Sequence, residues 1–181
     1  MTRLPSLARA HWLREPSLQR VFALVAGAGG EARVAGGAVR NALLREPIGD
    51  IDIATTLAPQ DVMTAFKAAG ILVHPTGIEH GTVTVVVDHK PYEITTLRRD
   101  VETDGRRAVV AFTDDWKADA LRRDFTINAL YCDASGKIHD YVGGYADILR
   151  KRIIFVGTPA ARIKEDYLRI LRFFRFHARF G

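Results

Sequence analysis

Residues 32–54 constrain the fold of this chain more than any other stretch, because structural period changes repeatedly within them. An apolar run at 32–35 reads as a short strand and is cut by Gly36-Gly37. Residues 38–44 read as a short helix that must stop before Pro47. From 50 to 54 polar and apolar residues alternate, Asp50-Ile51-Asp52-Ile53-Ala54, which is the period of a half-buried strand. Strand, glycine turn, helix and strand in that order predict a sheet with helices on its faces. The flanking segments agree. Residues 17–28 carry helical spacing (Leu18, Val21, Phe22, Leu24, Val25), with Ser17 as the expected N-cap and Gly29-Gly30 beyond the end. Residues 59–69 fit a helix with Pro59 at its first position and Gly70 after it. Three β-rich runs follow at 71–75, 82–88 and 92–97, with a hairpin turn expected at Lys90-Pro91. Residues 98–114 are polar and without period, the pattern of a mobile loop. Residues 117–131 return to helix. Turns at Ser135-Gly136 and Gly143-Gly144, a helix near 146–151 and a last helical stretch from Pro159 through Phe180 complete the order. The expected fold is α/β (α+β), a mixed sheet flanked by helices.

At 181 residues with 48% hydrophobic content, the chain suits one domain with a real core, or one domain and part of a second. The formal charge of +5, carried more by arginine than by lysine, favours a polyanionic partner. Cys132 is the only cysteine, which excludes a disulfide framework and a thiolate zinc site and points to a reducing compartment. Residues 1–12 contain no apolar run fit for a signal peptide, and no stretch is apolar enough to cross a bilayer, so a soluble, cytoplasmic protein is expected. The histidines are scattered, and nothing in the sequence sets an oligomeric state.

The chemistry-bearing residues form three groups. In the first, Gly36-Gly37-Ala38-Val39-Arg40 precedes Asp50-Ile51-Asp52. Adjacent glycines at a strand-to-helix turn let backbone N–H groups approach an anion, and the helix N-terminus adds a favourable dipole. Arg40, one turn into that helix, is placed to pair with a phosphate. Asp50 and Asp52, two apart on one strand, point to the same face, and their repulsion is relieved by a divalent cation between them. Glu93, in a β run beside apolar Ile94, is the candidate third carboxylate, and it reads equally as a solvated strand residue. The second group is Arg122-Arg123-Asp124-Phe125-Thr126-Ile127-Asn128. Two arginines ahead of an expected amphipathic helix can hold a triphosphate, with Asp124 accepting from a ribose hydroxyl. Alone, the same residues fit a charged helix start packed through Phe125, Ile127 and Leu130. In the third group Asp166, Arg169, Arg172 and Arg175 recur on one helical side, opposite Leu168, Leu171 and Phe174. Surface ion pairing at i, i+3 is the simple account. The fuller account is base selection: a carboxylate accepts from an exocyclic amino group while Arg donates to a ring nitrogen. Cytosine and adenine share that edge pattern; guanine and uracil reverse it.

In this order the three groups resemble the tRNA nucleotidyltransferases that add CCA, of the bacterial and eukaryotic class, and their relatives the bacterial poly(A) polymerases. The family pattern runs Gly-Gly-x-Val-Arg-Asp, Asp-x-Asp, Arg-Arg-Asp-Phe-Thr-x-Asn-Ala and Glu-Asp-x-x-Arg-x-x-Arg, and the match extends over residues 33–175. The resemblance implies a polymerase-β-like nucleotidyltransferase head with Mg²⁺ on Asp50 and Asp52. It implies nucleotide contacts from Gly37, Arg40, Arg123, Asp166, Arg169, Arg172 and Arg175, with Gly36, Asp124 and Asn128 completing the set. Glu93 matches the superfamily's third carboxylate. The activity implied is template-independent addition of C and A from CTP and ATP to the 3′ end of tRNA. A 3′-hydroxyl attacks the α-phosphate in line under two-metal assistance, without a separate protein base. Asn41 departs from the pattern, standing where the family usually has Asp. Family members continue into neck, body and tail segments. Residues 1–152 are therefore expected to be the head and 153–181 the start of a helical neck, leaving a fragment in which Phe173, Phe174, Phe176 and Phe180 await cover from a continuation. Residues 98–114 resemble the flexible loop used in the switch from C to A addition, which argues against an enzyme that adds only CC.

Two other readings share these residues: a poly(A) polymerase, and a nucleoside triphosphate-binding module without turnover. A dinucleotide-dependent oxidoreductase is disfavoured, because Gly27, Gly29 and Gly30 follow a helix rather than a strand.

Overall fold

In the computed structural model, which describes residues 3–104 and 107–181 (side chains outside 100–110), helix α1 (Pro16–Gly27) leads into β1 (Ala32–Ala35), α2 (Gly37–Leu44), β2 (Asp52–Thr55) and α3 (Pro59–Ala68). Strands β3 (Leu72–Gly77), β4 (Thr82–Val87), β5 (Lys90–Thr96), β6 (Arg98–Asp104) and β7 (Arg107–Phe112) follow. After α4 (Trp116–Leu121) come β8 (Leu130–Asp133), β9 (Ile138–Asp140), α5 (Gly144–Leu149), α6 (Pro159–Glu165) and α7 (Leu168–Phe180). The main sheet has seven strands in the order β3-β4-β5-β2-β1-β8-β9. It is mixed: β2 and β5 run parallel and the other neighbours antiparallel. The alternation read from the sequence decides its faces. Val34, Ile53, Ile94, Val83 and Val85 enter one buried cluster with Leu18, Val21 and Phe66, while Ala35, Ala54, Tyr131 and Trp116 form a second. The expected mixed sheet flanked by helices is what forms.

Several local expectations give way to tertiary pairing. Residues 98–114 are not an aperiodic loop: β6 and β7 pair antiparallel from Arg98↔Phe112 to Asp104↔Arg107 as a separate two-stranded sheet. Positions 105 and 106 lie outside the described residues, as do 1 and 2. Charged residues along these strands obscured the period, whereas Val109-Val110 carries a β signal. The helix expected over 117–131 ends at Leu121. Phe125 is extended (φ −124°, ψ 149°) and bridges to Phe155, Thr126 N–H donates to Ile154 O at 2.9 Å and Val156 N–H to Asp124 O at 3.0 Å. Strand-like pairing with 154–156 thus replaces helical bonding, and β8 follows a 3₁₀ turn at Thr126–Asn128.

The last helical stretch breaks at Asp166 (φ −155°, ψ 107°), whose carboxylate accepts the Leu168 N–H at 2.9 Å and so caps α7. Ser17 is not an N-cap; Pro16 begins α1, and the Ser17 hydroxyl shares a 2.7 Å hydrogen bond with Tyr92 Oη inside the core. The hairpin turn lies one step before Lys90-Pro91, at Asp88 and His89, which take the left-handed conformation (φ 49° and 63°). Pro91 pairs with Val86 within β5, and β2 joins β5 only from Glu93 onward. Of the four phenylalanines expected to await cover, Phe176 and Phe180 are buried and Phe173 stacks on Phe155 at 5.8 Å; Phe174 stays 63% exposed. Among the described residues no helix is long and apolar enough to cross a membrane.

Candidate active site

The site follows from strand direction. Because β1 and β2 are antiparallel (Val34↔Ile53), the end of β1, where the glycines stand, meets the start of β2, where Asp52 stands. Because β2 and β5 are parallel with Asp52 opposite Glu93, these two carboxylates are neighbours on one face. Because β8 runs antiparallel to β1 (Ala35↔Tyr131), Gly36 N–H donates to Leu130 O at 2.9 Å, and the Arg123–Asn128 segment folds against the glycine turn. Helix α7 closes the far side. The resulting open cleft, about 1040 Å³, is lined by all thirteen sequence-derived residues: Gly36, Gly37, Arg40, Asp50, Asp52 and Glu93 on the sheet side, and Arg123, Asp124, Asn128, Asp166, Arg169, Arg172 and Arg175 opposite.

The acidic side differs from expectation in one respect. Asp50 is not on the strand, since β2 begins at Asp52, so Asp50 is brought to the cleft by the loop after α2. The Asp52 carboxyl, although its surface is open to the cleft, is held above its ordinary range, first by partial loss of solvation beside the cleft wall and then by Glu93; Arg123 opposes this and Asp50 adds to it. Among the described residues no cluster of three or more His, Cys, Asp and Glu side chains forms a self-sufficient metal cage. The donors are instead hard carboxylate oxygens beside an anion cradle. That set suits a small divalent cation, which takes one or two protein carboxylates and completes its shell with substrate phosphate and water. These donors fit a divalent metal ion.

Gly36 has φ 65° and ψ −116°, a conformation that favours glycine, and it opens α2. A Cβ there would lie 3.2 Å from Arg123 Nη1 and 3.3 Å from Asn128 O, so Arg123 sits directly over the turn. Gly36→Ala is therefore expected to destabilise the chain by about 1–3 kcal/mol and to weaken nucleotide binding by displacing Arg123. Gly37→Ala, with only Arg40 Nη2 at 3.8 Å from the new Cβ, should leave both near wild type. Thermal melts and nucleotide titration of the pair check this contrast.

Arg123 is held by a residue not foreseen from the sequence. Asp119 on α4 is 6% exposed, and its Oδ2 accepts from Tyr131 Oη at 2.7 Å and from Arg123 Nη2 at 3.2 Å. Its Oδ1 accepts the backbone N–H of Arg98, the first residue of β6, at 3.1 Å. Arg123 Nε also donates to Tyr131 Oη at 3.0 Å. The i, i+4 spacing of Asp119 and Arg123 was the available signal.

Asp124, expected at a ribose hydroxyl, is already occupied. Oδ1 accepts from the Phe125 N–H at 2.8 Å and Asn128 Nδ2 at 3.1 Å, and Oδ2 accepts from Arg172 Nε at 2.7 Å. Arg40, expected at a phosphate, is 8% exposed and donates through Nε and Nη2 to Asn41 Oδ1 (3.1 and 2.8 Å) and through Nη1 to Asn128 Oδ1. Burial pulls its pKa down to about 10, with Arg179 acting the same way and Asp124 against it, so the guanidinium stays charged at neutral pH. Arg169 Nη1 donates to Glu165 Oε2 at 2.7 Å and Arg162 O at 3.1 Å, so Asp166 and Arg169 line the cleft without bonding each other through their side chains.

A mixed sheet that presents a glycine turn, adjacent carboxylates and an arginine-lined wall to one cleft is the architecture of a nucleotidyltransferase head. The chain belongs to the poly A polymerase head domain family, whose model matches residues 32–154. It is similar to the mitochondrial CCA tRNA nucleotidyltransferase 1 of Danio rerio, 47% identical over 150 residues, covering 82% of this chain and 35% of that protein. The CCA-adding enzyme of Bacillus pumilus is 48% identical over 155 residues, covering 84% and 38%. Among solved structures, the Bacillus stearothermophilus CCA-adding enzyme in complex with CTP superposes with a TM-score of 0.80 at 39% identity, over 90% of this chain and 39% of that one. The chain thus spans well under half the length of the curated relatives it matches.

Proposed function

We propose that this chain carries the catalytic head of an enzyme that adds C and A to the 3′ end of tRNA from CTP and ATP, with Mg²⁺ as the divalent ion. The observation that carries this reading is the convergence of the Gly36-Gly37 turn, Asp52 with Glu93, and the α7 arginines on one cleft. The names of the relatives, CCA tRNA nucleotidyltransferase and CCA-adding enzyme, support the choice of substrates.

In this mechanism the N–H groups opening α2 and the Arg123 guanidinium receive the triphosphate. Asp50 and Asp52 are the residues that would hold the metal, with Glu93 beside Asp52 as the third carboxylate of the site. When bound, Mg²⁺ supplies acidification of the attacking 3′-hydroxyl and neutralisation of charge on the pyrophosphate. Asp166 and Arg169 read the base edge, accepting from an amino group and donating to a ring nitrogen, so that guanine and uracil leave groups unpaired. We take residues 1–152 as the head and 153–181 as the start of a neck, and the lone buried thiol of Cys132 supports action in the reducing cytoplasm.

The test is incorporation of each labelled nucleotide by a protein carrying this chain, onto tRNA lacking its CCA end. C and A are expected to enter, with G and U at least about a hundredfold slower, since a mismatched edge leaves buried polar groups unpaired. Incorporation of A alone, on generic RNA ends, would select a poly(A) polymerase, and no incorporation would leave a nucleotide-binding module.

A further inference from the structure

The sheet face beyond Glu93 has no part in holding the nucleotide. On β4, Val83, Val85 and Val87 are buried in the core, so Thr82 and Thr84 point to the opposite face, as Glu93 and Thr95 do on β5. Strand register sets these side chains in rows: His74, Thr84, Glu93 and Asp52 pair in succession across four strands, and Thr82 pairs with Thr95 in the next row. His74, Thr76 and Glu93 are exposed, and Thr82, Thr84 and Thr95 partly so. Glu93 and Thr95 line the cleft, which makes this face continuous with it. The β6–β7 hairpin bounds the other end, where Arg98 Nη1 donates to His80 O at 2.8 Å and the Phe112 ring lies against Gly81. The threonines are joined in pairs: the hydroxyl oxygens of Thr76 and Thr84 are 2.7 Å apart, and those of Thr82 and Thr95 are 2.9 Å apart. A hydroxyl carries one donor and two acceptor lone pairs, so each pair consumes one O–H and leaves the other to give. Stiff β-branched side chains thus present neutral donors beside the catalytic carboxylates.

We propose that this threonine-lined face of β3, β4 and β5 seats the last sugar–phosphate units of the RNA strand being extended. The proposal rests on the reading of the cleft as a nucleotidyl-transfer site, and stereochemistry gives the direction. In-line displacement requires the attacking 3′-oxygen to enter opposite the leaving pyrophosphate. The glycine turn and Arg123, which receive the triphosphate, stand beside β1 and β8; Asp52 stands on β2 and Glu93 on β5. Continuing in the same direction, the sheet order leads to β4 and then β3. The incoming 3′ end therefore crosses Thr84 and Thr95, which flank Glu93 on its two open sides. Hydroxyl donors suit phosphate and ribose oxygens, and contacts of that kind carry no base information, so the face accepts the strand whichever nucleotide ends it. Neutral donors also avoid ion pairing with Asp52 and Glu93, which a lysine or arginine at these positions would form.

The experiment measures transfer from CTP to tRNA lacking its CCA end by a protein carrying this chain, with RNA and nucleotide varied separately. The double variant Thr84→Val, Thr95→Val removes the two hydroxyls beside Glu93 and keeps the β-branched shape that strands favour. It is expected to lower kcat/KM for the RNA about tenfold, while KM for CTP stays within about twofold of wild type. Thr84→Ser with Thr95→Ser, which restores both hydroxyls, should recover most of the loss. Thermal melting of the variants checks that the sheet is intact, and the serine pair decides the matter if the valine pair does not fold. An unchanged kcat/KM for RNA in the valine pair would overturn the proposal. So would an equal loss on the RNA and CTP sides, or a serine pair as defective as the valine pair. Failure of the wild-type protein to transfer any nucleotide to RNA defeats the reading of the cleft itself, before any variant is considered.

Discussion

Asp52→Asn is expected to lower nucleotidyl transfer by about 10³-fold or more while the chain still folds, because a lost metal carboxylate removes several kcal/mol of transition-state stabilisation and each 1.4 kcal/mol or so is tenfold in rate. Asparagine keeps the shape and the start of β2, so a loss of this size reports charge, not structure. Asp50→Asn should have a smaller effect, since Asp50 stands on a loop while Asp52 stands against Glu93 on the sheet. The pH behaviour separates the role further. The Asp52 carboxyl lies above its ordinary value in the absence of metal, so between the unfolded and folded values the folded chain binds more protons than the unfolded chain. This group therefore makes the metal-free chain less stable as pH rises through that window, and Asp52→Asn should melt above wild type at neutral pH. The difference should shrink as pH falls into the ordinary carboxylate range. Added Mg²⁺ should reverse the order by stabilising wild type alone. Full activity in Asp52→Asn would remove the basis for the metal site.

The second large effect is on stability. Asp119→Ala is expected to destabilise the chain by about 3 kcal/mol, with a fall in melting temperature of about 6–12 °C for a chain of this size. The substitution takes the carboxylate from three donors at once: Arg123 Nη2, the Tyr131 hydroxyl and the Arg98 backbone N–H. Burial acts against the charge of Arg123, and Tyr131 and Asp119 outweigh it, so the pair is net favourable as built. Arg123 keeps some contact with solvent, which sets the effect at the lower end of the range for a broken buried pair. Asp119→Asn should recover only part of the loss, since its one amide oxygen can accept either from Tyr131 and Arg123 or from the Arg98 N–H, while the amide nitrogen cannot accept on the other side. Chemical denaturation of the two variants beside wild type measures both. A destabilisation below about 1 kcal/mol in Asp119→Ala would show that the network holds without its carboxylate.

Together these residues show how a family pattern becomes a site. Gly36, Asp52 and Arg123 are far apart in sequence, and each takes its place from the pairing of one strand with another. Glu93 is the clearest case. In the sequence it reads equally as a solvated strand residue, and only the parallel register of β2 with β5 makes it the neighbour of Asp52.

Short-range physics set the part of the fold that is legible in the linear chain. Period-2 and period-3.6 patterning located β2 and α1, because a side chain's face depends only on its own backbone, while an apolar run cut by glycines located β1 and Pro59 with Gly70 bounded α3. The order of glycine turn, acidic pair and arginine groups likewise named the residues that come to line the cleft. It went wrong where distant chain competes for the backbone. Residues 122–131 have helical composition, yet 154–156 take the hydrogen bonds around Phe125, and Phe125 packs against Phe155 and Phe176 at 4.7 and 5.5 Å. Asp166 is extended where α6 ends, and its carboxylate accepts the Leu168 N–H at the start of α7, a local side-chain bond that competes with helix continuation. The partners of Arg40, Asp119 and Asp124 were decided only in three dimensions, since a buried charge must be satisfied by whatever groups the fold delivers, and sequence spacing does not encode which those are.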